Sequence, residues 1–166
     1  MNPQDYHLLY IHRDQPGSAQ LFELAMARIE AFSHRLGGNA SLLKTQTWEL
    51  FAKASPLLGL WLAFKKDQIV GHSLAQIQSW DGRLVAWVNQ VEMDNVAGKA
   101  LKDTYITSVE NWVHSVNQQL KASQAEPVRE IMMVTRRGTT ANFDHWSRHA
   151  GFDPYLTIYR REIKGV

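Results

Sequence analysis

Three apolar runs that follow one another, with only two polar residues between them, constrain the fold of this chain most strongly. They span residues 58–66, 69–80 and 83–93, and the breaks between them are Asp67-Gln68 and Asp81-Gly82. A two-residue connection joins antiparallel strands, whereas parallel neighbours need a crossover of a dozen or more residues. The sequence therefore predicts a three-stranded antiparallel meander.

A long helix follows the third run. Its apolar side chains recur at three- and four-residue intervals, which places them on one helix face. They are Leu101, Tyr105, Val109, Trp112, Val113, Val116 and Leu120. After a polar stretch, residues 130–137 begin with a nearly continuous apolar run, which is typical of a strand buried on both faces. The pattern predicts a βαβ-type crossover beside the meander.

The rest of the chain adds elements before the meander and after the crossover. The predicted elements are a strand at 6–11, helices at 18–36 and 40–54, a short helix at 140–149 and a last strand at 154–163. The complete order is β-α-α-β-β-β-α-β-α-β, without a repeat or a linker. We predict one mixed α/β domain over residues 1–166, with a mostly antiparallel central sheet flanked by helices.

The composition excludes several kinds of chemistry. None of the 166 residues is cysteine, which rules out disulfides, a thiolate nucleophile and any Cys-ligated metal. The formal net charge of +2 gives no reason to expect a nucleic-acid partner. No segment reaches the roughly 18 uninterrupted apolar residues of a membrane span, and the N-terminus lacks the pattern of a signal peptide. We expect a cytoplasmic protein that binds neither nucleic acid nor a membrane.

Other catalytic motifs are weak or missing. His145 and His149 are four residues apart on the predicted short helix, next to Asp144, a spacing that can bind a metal. No third ligand at a recognisable spacing accompanies them, so we predict a polar helix face and no metal site. The sequence has no Gly-x-Ser-x-Gly elbow and no Walker or Gly-x-Gly-x-x-Gly loop, which argues against a serine hydrolase and against the common nucleotide-binding motifs.

The junction between the third run and the long helix is a candidate phosphate site. Residues 95–100 are Asn-Val-Ala-Gly-Lys-Ala. A turn that enters a helix presents unpaired N–H groups and the positive end of the helix dipole. Gly98 would let the backbone approach a ligand closely, and Lys99 would add a positive charge. The same pattern also describes an ordinary helix start, and both interpretations stay open.

The order of the elements resembles the GNAT acyltransferase superfamily, and three segments carry the likeness. Residues 60–77 look like that family's central hairpin, in which the second strand begins with an apolar-Val-Gly unit, here Ile69-Val70-Gly71. Residues 85–94 lead directly into the junction, where the family carries Gln/Arg-x-x-Gly-x-Gly/Ala. Residues 145–162 resemble its helix, Gly-Phe turn and final strand. The resemblance covers nearly the whole chain and implies the GNAT fold.

The resemblance also implies an activity, which is acyl-CoA-dependent transfer of an acetyl group to a primary amine of a small molecule or a protein. In the family, the junction binds the pyrophosphate of acetyl-CoA. The corresponding residues here are Asn95, Val96, Ala97, Gly98, Lys99 and Ala100. The backbone N–H groups around Val91 and Met93 correspond to those that bind the acyl carbonyl and the pantetheine arm. Glu92 is the candidate base, and Ser147 stands where the family's tyrosine usually protonates the departing thiolate.

Departures from the family pattern favour a second interpretation. Asn95 replaces the usual Gln or Arg, the junction keeps one glycine, and Ser147 replaces the tyrosine. A serine hydroxyl has no acidity comparable to that of a phenol. The alternative is therefore a catalytically degenerate GNAT-fold protein that serves as a binding or structural component of a larger assembly, such as a viral particle. The partners would then be an assembly or further copies of the chain.

Overall fold

The computed structural model describes residues 5–35 and 39–133. In these ranges the chain forms strands and helices in the predicted order. They are β1 (Tyr6–Tyr10), α1 (Ser18–Arg35), α2 (Ala40–Ala52), β2 (Leu58–Lys65), β3 (Gln68–Trp80), β4 (Arg83–Met93), α3 (Asn95–Ala122) and β5 (Ile131–Met133). The predicted helix at 140–149 and strand at 154–163 lie outside the described residues.

The five described strands form one mixed sheet in the order β1-β2-β3-β4-β5. From β1 to β4, each strand is antiparallel to the next, which confirms the predicted meander. β4 and β5 are parallel, and the 28-residue helix α3 makes the crossover between them. The predicted mixed α/β fold class is thereby confirmed.

Both hairpins of the meander turn over two residues. Between β3 and β4, Asp81 and Gly82 have φ angles of 50° and 76°. Two positive φ angles are what the tight type I′ hairpin turn requires. Between β2 and β3, Lys66 takes a φ of 53° and Gln68 already belongs to β3. This turn therefore lies at residues 66–67, one residue earlier than predicted.

The helices cover both faces of the sheet. α1 and α2 lie on one face, where the rings of Phe22 and Phe51 stack with centroids 4.3 Å apart over buried leucines of β2 and β3. α3 covers the other face, where Trp61 of β2 meets Tyr105 and Trp112 edge-on. Successive residues of a strand point to opposite faces, so the continuous apolar run of β2 supplies both cores.

Helix α3 begins at Asn95, before the first residue of the predicted apolar stripe. Asp94 has an extended conformation, and its side chain accepts a hydrogen bond from the N–H of Ala97 at 2.6 Å. This is the geometry of an N-cap. Because Asp94 alone separates β4 from α3, residues 95–100 form the first turns of the helix.

Candidate active site

An extra residue in β4 decides which way the candidate residues point. Ala75 of β3 pairs with Val88, but the preceding residue, Leu74, pairs with Gln90, so Asn89 has no partner on β3. Such a β-bulge reverses the alternation of side chains beyond it. Leu74 belongs to the core on the α1 face, and residues directly opposite share a face. Gln90 therefore faces α1, although a regular strand would send it to the α3 face with Val88.

Beyond the bulge, one edge of β4 carries backbone groups that point away from β3. The N–H of Asp94 donates to the carbonyl of Val70 at 3.1 Å. Because the backbone groups of an antiparallel strand alternate between its two edges, those of Val91 and Met93 point to the edge away from β3. On that edge β5 pairs with β4 only at residues 86–88. Within the described part of the chain, the N–H groups of Val91 and Met93 thus lie on an open strand edge.

Glu92 lies between these two residues and directs its side chain to the α1 face, directly opposite His72 on β3. Its Oε1 accepts a hydrogen bond from Nη2 of Arg35, the last residue of α1. Its Oε2 lies 3.7 Å from Nδ1 of His72. The side chain of Glu92 is 21% exposed and that of Arg35 is 59% exposed. The carboxylate is therefore partly accessible, and its partner on the solvent side is an exposed cationic side chain.

His72 is a buried, neutral neighbour of this carboxylate. Its Nε2 lies 3.2 Å from Oε1 of Gln90, whereas its Nδ1 makes no hydrogen bond with any described residue. The ring of Phe32 packs edge-on against the imidazole. Burial lowers the pKa of His72 to about 4, although the Gln90 hydrogen bond and the charge of Glu92 oppose the change. The imidazole is therefore neutral at pH 7.

The N-cap residue Asp94 already binds two of the backbone N–H groups at the start of α3. Asp94 binds the N–H of Ala97 through its carboxylate at 2.6 Å and the N–H of Gly98 through its carbonyl at 2.8 Å. A Cβ placed on Gly98 would meet only the Cβ of Met93, at an ordinary 3.9 Å. Val96, Lys99 and Ala100 in the first turns of the helix are exposed. A phosphate at this helix start would have to compete with the Asp94 carboxylate for the same donor.

A cavity of about 600 Å³ lies at the opposite end of the sheet. Residues of β1 and β2, of the loops next to them and of the second half of α3 line it, among them Tyr10, Trp61 and Trp112. None of the predicted site residues that the structure describes borders this cavity. The candidate site is therefore the end of β4 and the start of α3. The arrangement of polar groups there, and not a cavity, identifies it.

Comparisons with known proteins identify the fold. The sequence matches no protein-family model and no curated protein. A predicted acetyltransferase from Clostridium acetobutylicum, crystallised with acetyl-CoA, superposes with a TM-score of 0.62 at 10% identity, over 95% of this chain and 96% of that one. AAC(6')-Iy, solved with the bisubstrate analogue CoA-S-monomethyl-acetylneamine, gives 0.60 at 12% identity, over 95% and 99%. The chain has the GNAT fold.

A third structure with this fold extends the likeness. It is an aminoglycoside acetyltransferase from an uncultured soil metagenomic sample, solved with sisomicin. It superposes with a TM-score of 0.58 at 9% identity, over 97% of this chain and 98% of that one. At such identities the GNAT fold is shared, while the identity of each functional residue has to be argued from this chain alone.

Within this GNAT fold, the predicted site residues form two groups. Val91, Glu92 and Met93 lie together at the end of β4, and residues 95–100 make the first turns of α3. Ser147 lies outside the described residues, as do His145 and His149. The described residues contain no group of three or more His, Cys, Asp or Glu side chains that could hold a metal ion. None of the three described helices is both long and apolar enough to cross a membrane.

Two residues of the site were missed by sequence analysis, His72 and Arg35. Trp80 and Arg83 pair at the hairpin turn, and in a regular ladder extended from this pair His72 would lie opposite Val91. The bulge shifts the register by one residue, so that His72 lies opposite Glu92 instead. Arg35 reaches Glu92 across 57 positions of sequence. No local pattern carries such a contact, since it depends on where the end of α1 meets the sheet.

Proposed function

We propose that the chain is an acyl-CoA-dependent N-acyltransferase that transfers an acetyl group to a primary amine of a small molecule or a protein. The observation that carries the proposal is the edge of β4 at Val91 and Met93, which no described strand covers, directly beside the Glu92 carboxylate. Acyl transfer to an amine needs donors for the carbonyl oxygen and a base for the ammonium. GNAT-fold neighbours solved with acetyl-CoA and with an acetylneamine analogue support this choice of donor and acceptor.

The backbone donors of β4 have the first role in this proposal. Acetyl-CoA, the co-substrate, supplies an acetyl group activated as a thioester. The N–H groups of Val91 and Met93 bind its acyl carbonyl and pantetheine arm. They are held in place by the pairing of β4 with β3, so they stabilise negative charge on the carbonyl oxygen without reorganising.

Glu92 is the proposed base. It takes a proton from the acceptor ammonium, and the free amine then attacks the carbonyl carbon, forming a C–N bond as the C–S bond breaks. Arg35 must first release Oε1, and because its side chain is 59% exposed it returns to water at little cost. The ammonium group of the acceptor then takes the place of the Arg35 guanidinium beside the Glu92 carboxylate, so the carboxylate keeps a positively charged partner. Ser147 is the proposed donor of a proton to the departing thiolate.

The start of α3 is the proposed pyrophosphate site. Residues 95–100 provide the N–H groups, the helix dipole and the positive charge of Lys99. Asp94 has to turn away from the N–H of Ala97 before a phosphate can take that donor. This half of the site fits the co-substrate less well than the strand edge does.

Turnover of acetyl-CoA with a panel of primary amines tests the proposal. Released coenzyme A can be followed with a thiol reagent, and the chain contributes no background because it has no cysteine. We expect Glu92→Gln to lower kcat about 100-fold or more, with little change in KM for acetyl-CoA. Glu110→Gln, an exposed acid on α3, is the matched control and should leave both constants unchanged.

Binding is tested separately by the melting temperature in millimolar acetyl-CoA. A ligand that binds only the folded state raises Tm. We expect a rise for the wild type and a smaller one for Gly98→Glu, which places a negative charge in the first turn of α3. The absence of any rise, with no effect of Gly98→Glu, would refute acetyl-CoA binding.

A second candidate function has its own observation, the carboxylate of Asp94 at the helix start. It neutralises the donor and the dipole that a phosphate needs. This favours a GNAT-fold protein without catalysis that binds an assembly partner or further copies of itself. Such a protein would show neither turnover nor a rise in Tm, and light scattering would find it in complexes larger than the 19.0 kDa chain.

Two broader expectations are part of the same proposal. We propose that residues 1–166 form one domain, supported by solved neighbours that superpose over 95% or more of this chain and of their own length. We also propose that the protein works in the cytoplasm. Limited proteolysis tests the first, since a single domain should give no stable shorter fragment. Fractionation of source cells tests the second.

A further inference from the structure

Among the described residues, one nitrogen of the buried His72 has no hydrogen-bond partner. The side chain is fully buried between β3, β4 and α1, yet no described group lies within hydrogen-bond range of Nδ1. Buried polar atoms are nearly always satisfied, and an exception calls for an explanation, of which a catalytic role is one. Oε2 of Glu92 lies 3.7 Å from Nδ1. The unsatisfied nitrogen therefore faces the proposed base.

The position of the single imidazole proton follows from the two distances. A neutral imidazole has one N–H and one lone pair. Nε2 has an acceptor in range, Oε1 of Gln90 at 3.2 Å, so the N–H lies on Nε2 and the lone pair on Nδ1. The separation of 3.7 Å between Nδ1 and the carboxylate oxygen is too long for a hydrogen bond, which agrees with a lone pair on Nδ1.

The charges around the ring agree with this assignment. Arg28 and Arg35 face His72 from α1, and Glu92 and Gln90 face it from β4. The two guanidinium groups and burial oppose a second proton on the ring, and they outweigh the carboxylate. Arg35 also occupies Oε1 of Glu92, which leaves Oε2 as the oxygen that faces the imidazole.

We propose that His72 is a positioning residue for Glu92, whose carboxyl group, once protonated, donates a hydrogen bond to Nδ1. The inference rests on the proposed acyltransferase function. In the step concerned, an N–H bond of the acceptor ammonium breaks and an O–H bond forms on Oε1, the oxygen that Arg35 has released. The carboxyl group then rotates so that this O–H takes the place of Oε2 beside Nδ1, which accepts it at hydrogen-bond distance. The proton stays on Glu92 until it is returned to solvent after transfer.

The first test measures the tautomer in the free protein by ¹⁵N NMR of histidine side chains at pH 7. We expect His72 to carry its proton on Nε2. In Gln90→Met, a side chain of similar length without an acceptor, the proton should move to Nδ1, where the carboxylate becomes its only acceptor. A wild-type His72 protonated on Nδ1 would overturn the proposal, because the imidazole would then donate to Glu92.

The second test uses two substitutions that keep different nitrogens. The amide oxygen of asparagine is bonded to Cγ, as Nδ1 of histidine is. The amide group of glutamine lies one atom further along the side chain, as Nε2 does. We expect His72→Gln to lower kcat about tenfold with KM for acetyl-CoA unchanged, and His72→Asn to stay within about threefold of the wild type. Ser73→Ala removes a buried hydroxyl on the opposite face of the same strand. It is the control for a loss of kcat that comes only from a disturbed strand, and it should leave kcat unchanged.

The outcomes separate this inference from the proposed function. Equal losses of kcat in His72→Asn and His72→Gln, at equal Tm, would refute the role of Nδ1 while the enzyme remains an acyltransferase. No turnover by the wild type, with the proton of His72 on Nε2, would refute the proposed function and the positioning role, and would leave the hydrogen-bond arrangement established. The proposal is supported if His72→Asn keeps its kcat, His72→Gln does not, and the proton of wild-type His72 lies on Nε2.

Discussion

Replacing Asp94 with asparagine is expected to strengthen the binding of acetyl-CoA about fivefold. The carboxylate of Asp94 caps α3 and occupies the N–H of Ala97, the donor that a phosphate at this helix start would use. Asparagine caps helices as well as aspartate does, so the helix keeps its start. The substitution therefore removes one negative charge and little else.

The magnitude follows from Coulomb's law. A phosphate on the N–H of Ala97 would displace the Asp94 carboxylate but leave it roughly 5 Å away, because both are tied to the same helix turn. Two unit charges at that separation repel by about 1 kcal/mol in a water-like medium and about 3 kcal/mol at an effective dielectric constant of 20. Asp94 is exposed, so the lower figure applies, and about 1 kcal/mol corresponds to about fivefold in Kd.

Calorimetric titration of acetyl-CoA into the wild type and the variant measures the effect. Asp103→Asn is the matched control, since Asp103 lies on the same helix about 13 Å further along its axis and is 94% exposed. That distance exceeds the screening length of about 8 Å at physiological salt, so Asp103→Asn should leave Kd unchanged. Equal Kd values for wild type and Asp94→Asn, or weaker binding by the variant, would show that no phosphate binds at the start of α3.

Three further predictions concern stability. Gly71→Ala should lower the free energy of unfolding by about 2 kcal/mol, because its Cβ would lie 2.6 Å from the carbonyl oxygen of Glu92; thermal melting measures the loss. Gly98→Ala should raise it by about 0.5–1 kcal/mol in the same assay, since the site has room and alanine favours a helix. The pKa of His72 lies at about 4 in the folded protein, below its unfolded value near 6.5. Between these two pH values the unfolded state binds a proton that the folded state does not. The free energy of unfolding should therefore fall by up to about 3 kcal/mol as the pH drops from 6.5 to 4. Urea unfolding against pH should show a shallower fall in His72→Gln, while a variant of the exposed His7 that behaved the same way would contradict the assignment.

The meander and the crossover could be predicted because their signals are local. Two-residue breaks between apolar runs leave room only for hairpins, and the stripe from Leu101 to Leu120 has the period of a helix face. The start of α3 also had a local signal, since Asp94 is a good N-cap residue. The apolar stripe alone placed that start too late, because the first turn of the helix carries none of its members.

The geometry of the site could not be predicted because it depends on register and on distant contacts. The pairing of Glu92 with His72 requires Asn89 to bulge out of the pairing with β3, and an asparagine within an apolar run has no unique meaning in a sequence. The contact with Arg35 requires the end of α1 to reach the end of β4. Sequence analysis therefore identified Glu92 by resemblance but not the two groups, Arg35 and His72, that lie beside its carboxylate.

The bulge explains how one strand supplies both kinds of group that the proposed reaction needs. In a regular strand, the side-chain face and the backbone edge of each residue are coupled by the same period of two. If Asn89 were paired with β3 as in a regular strand, Glu92 would face α3, and the N–H groups of Val91 and Met93 would be used by the pairing with β3. The bulge at Asn89 reverses both at once, which sends the carboxylate to the α1 face and the two donors to the strand edge away from β3. The position of the bulge therefore matters more to this site than the identity of the residue within it.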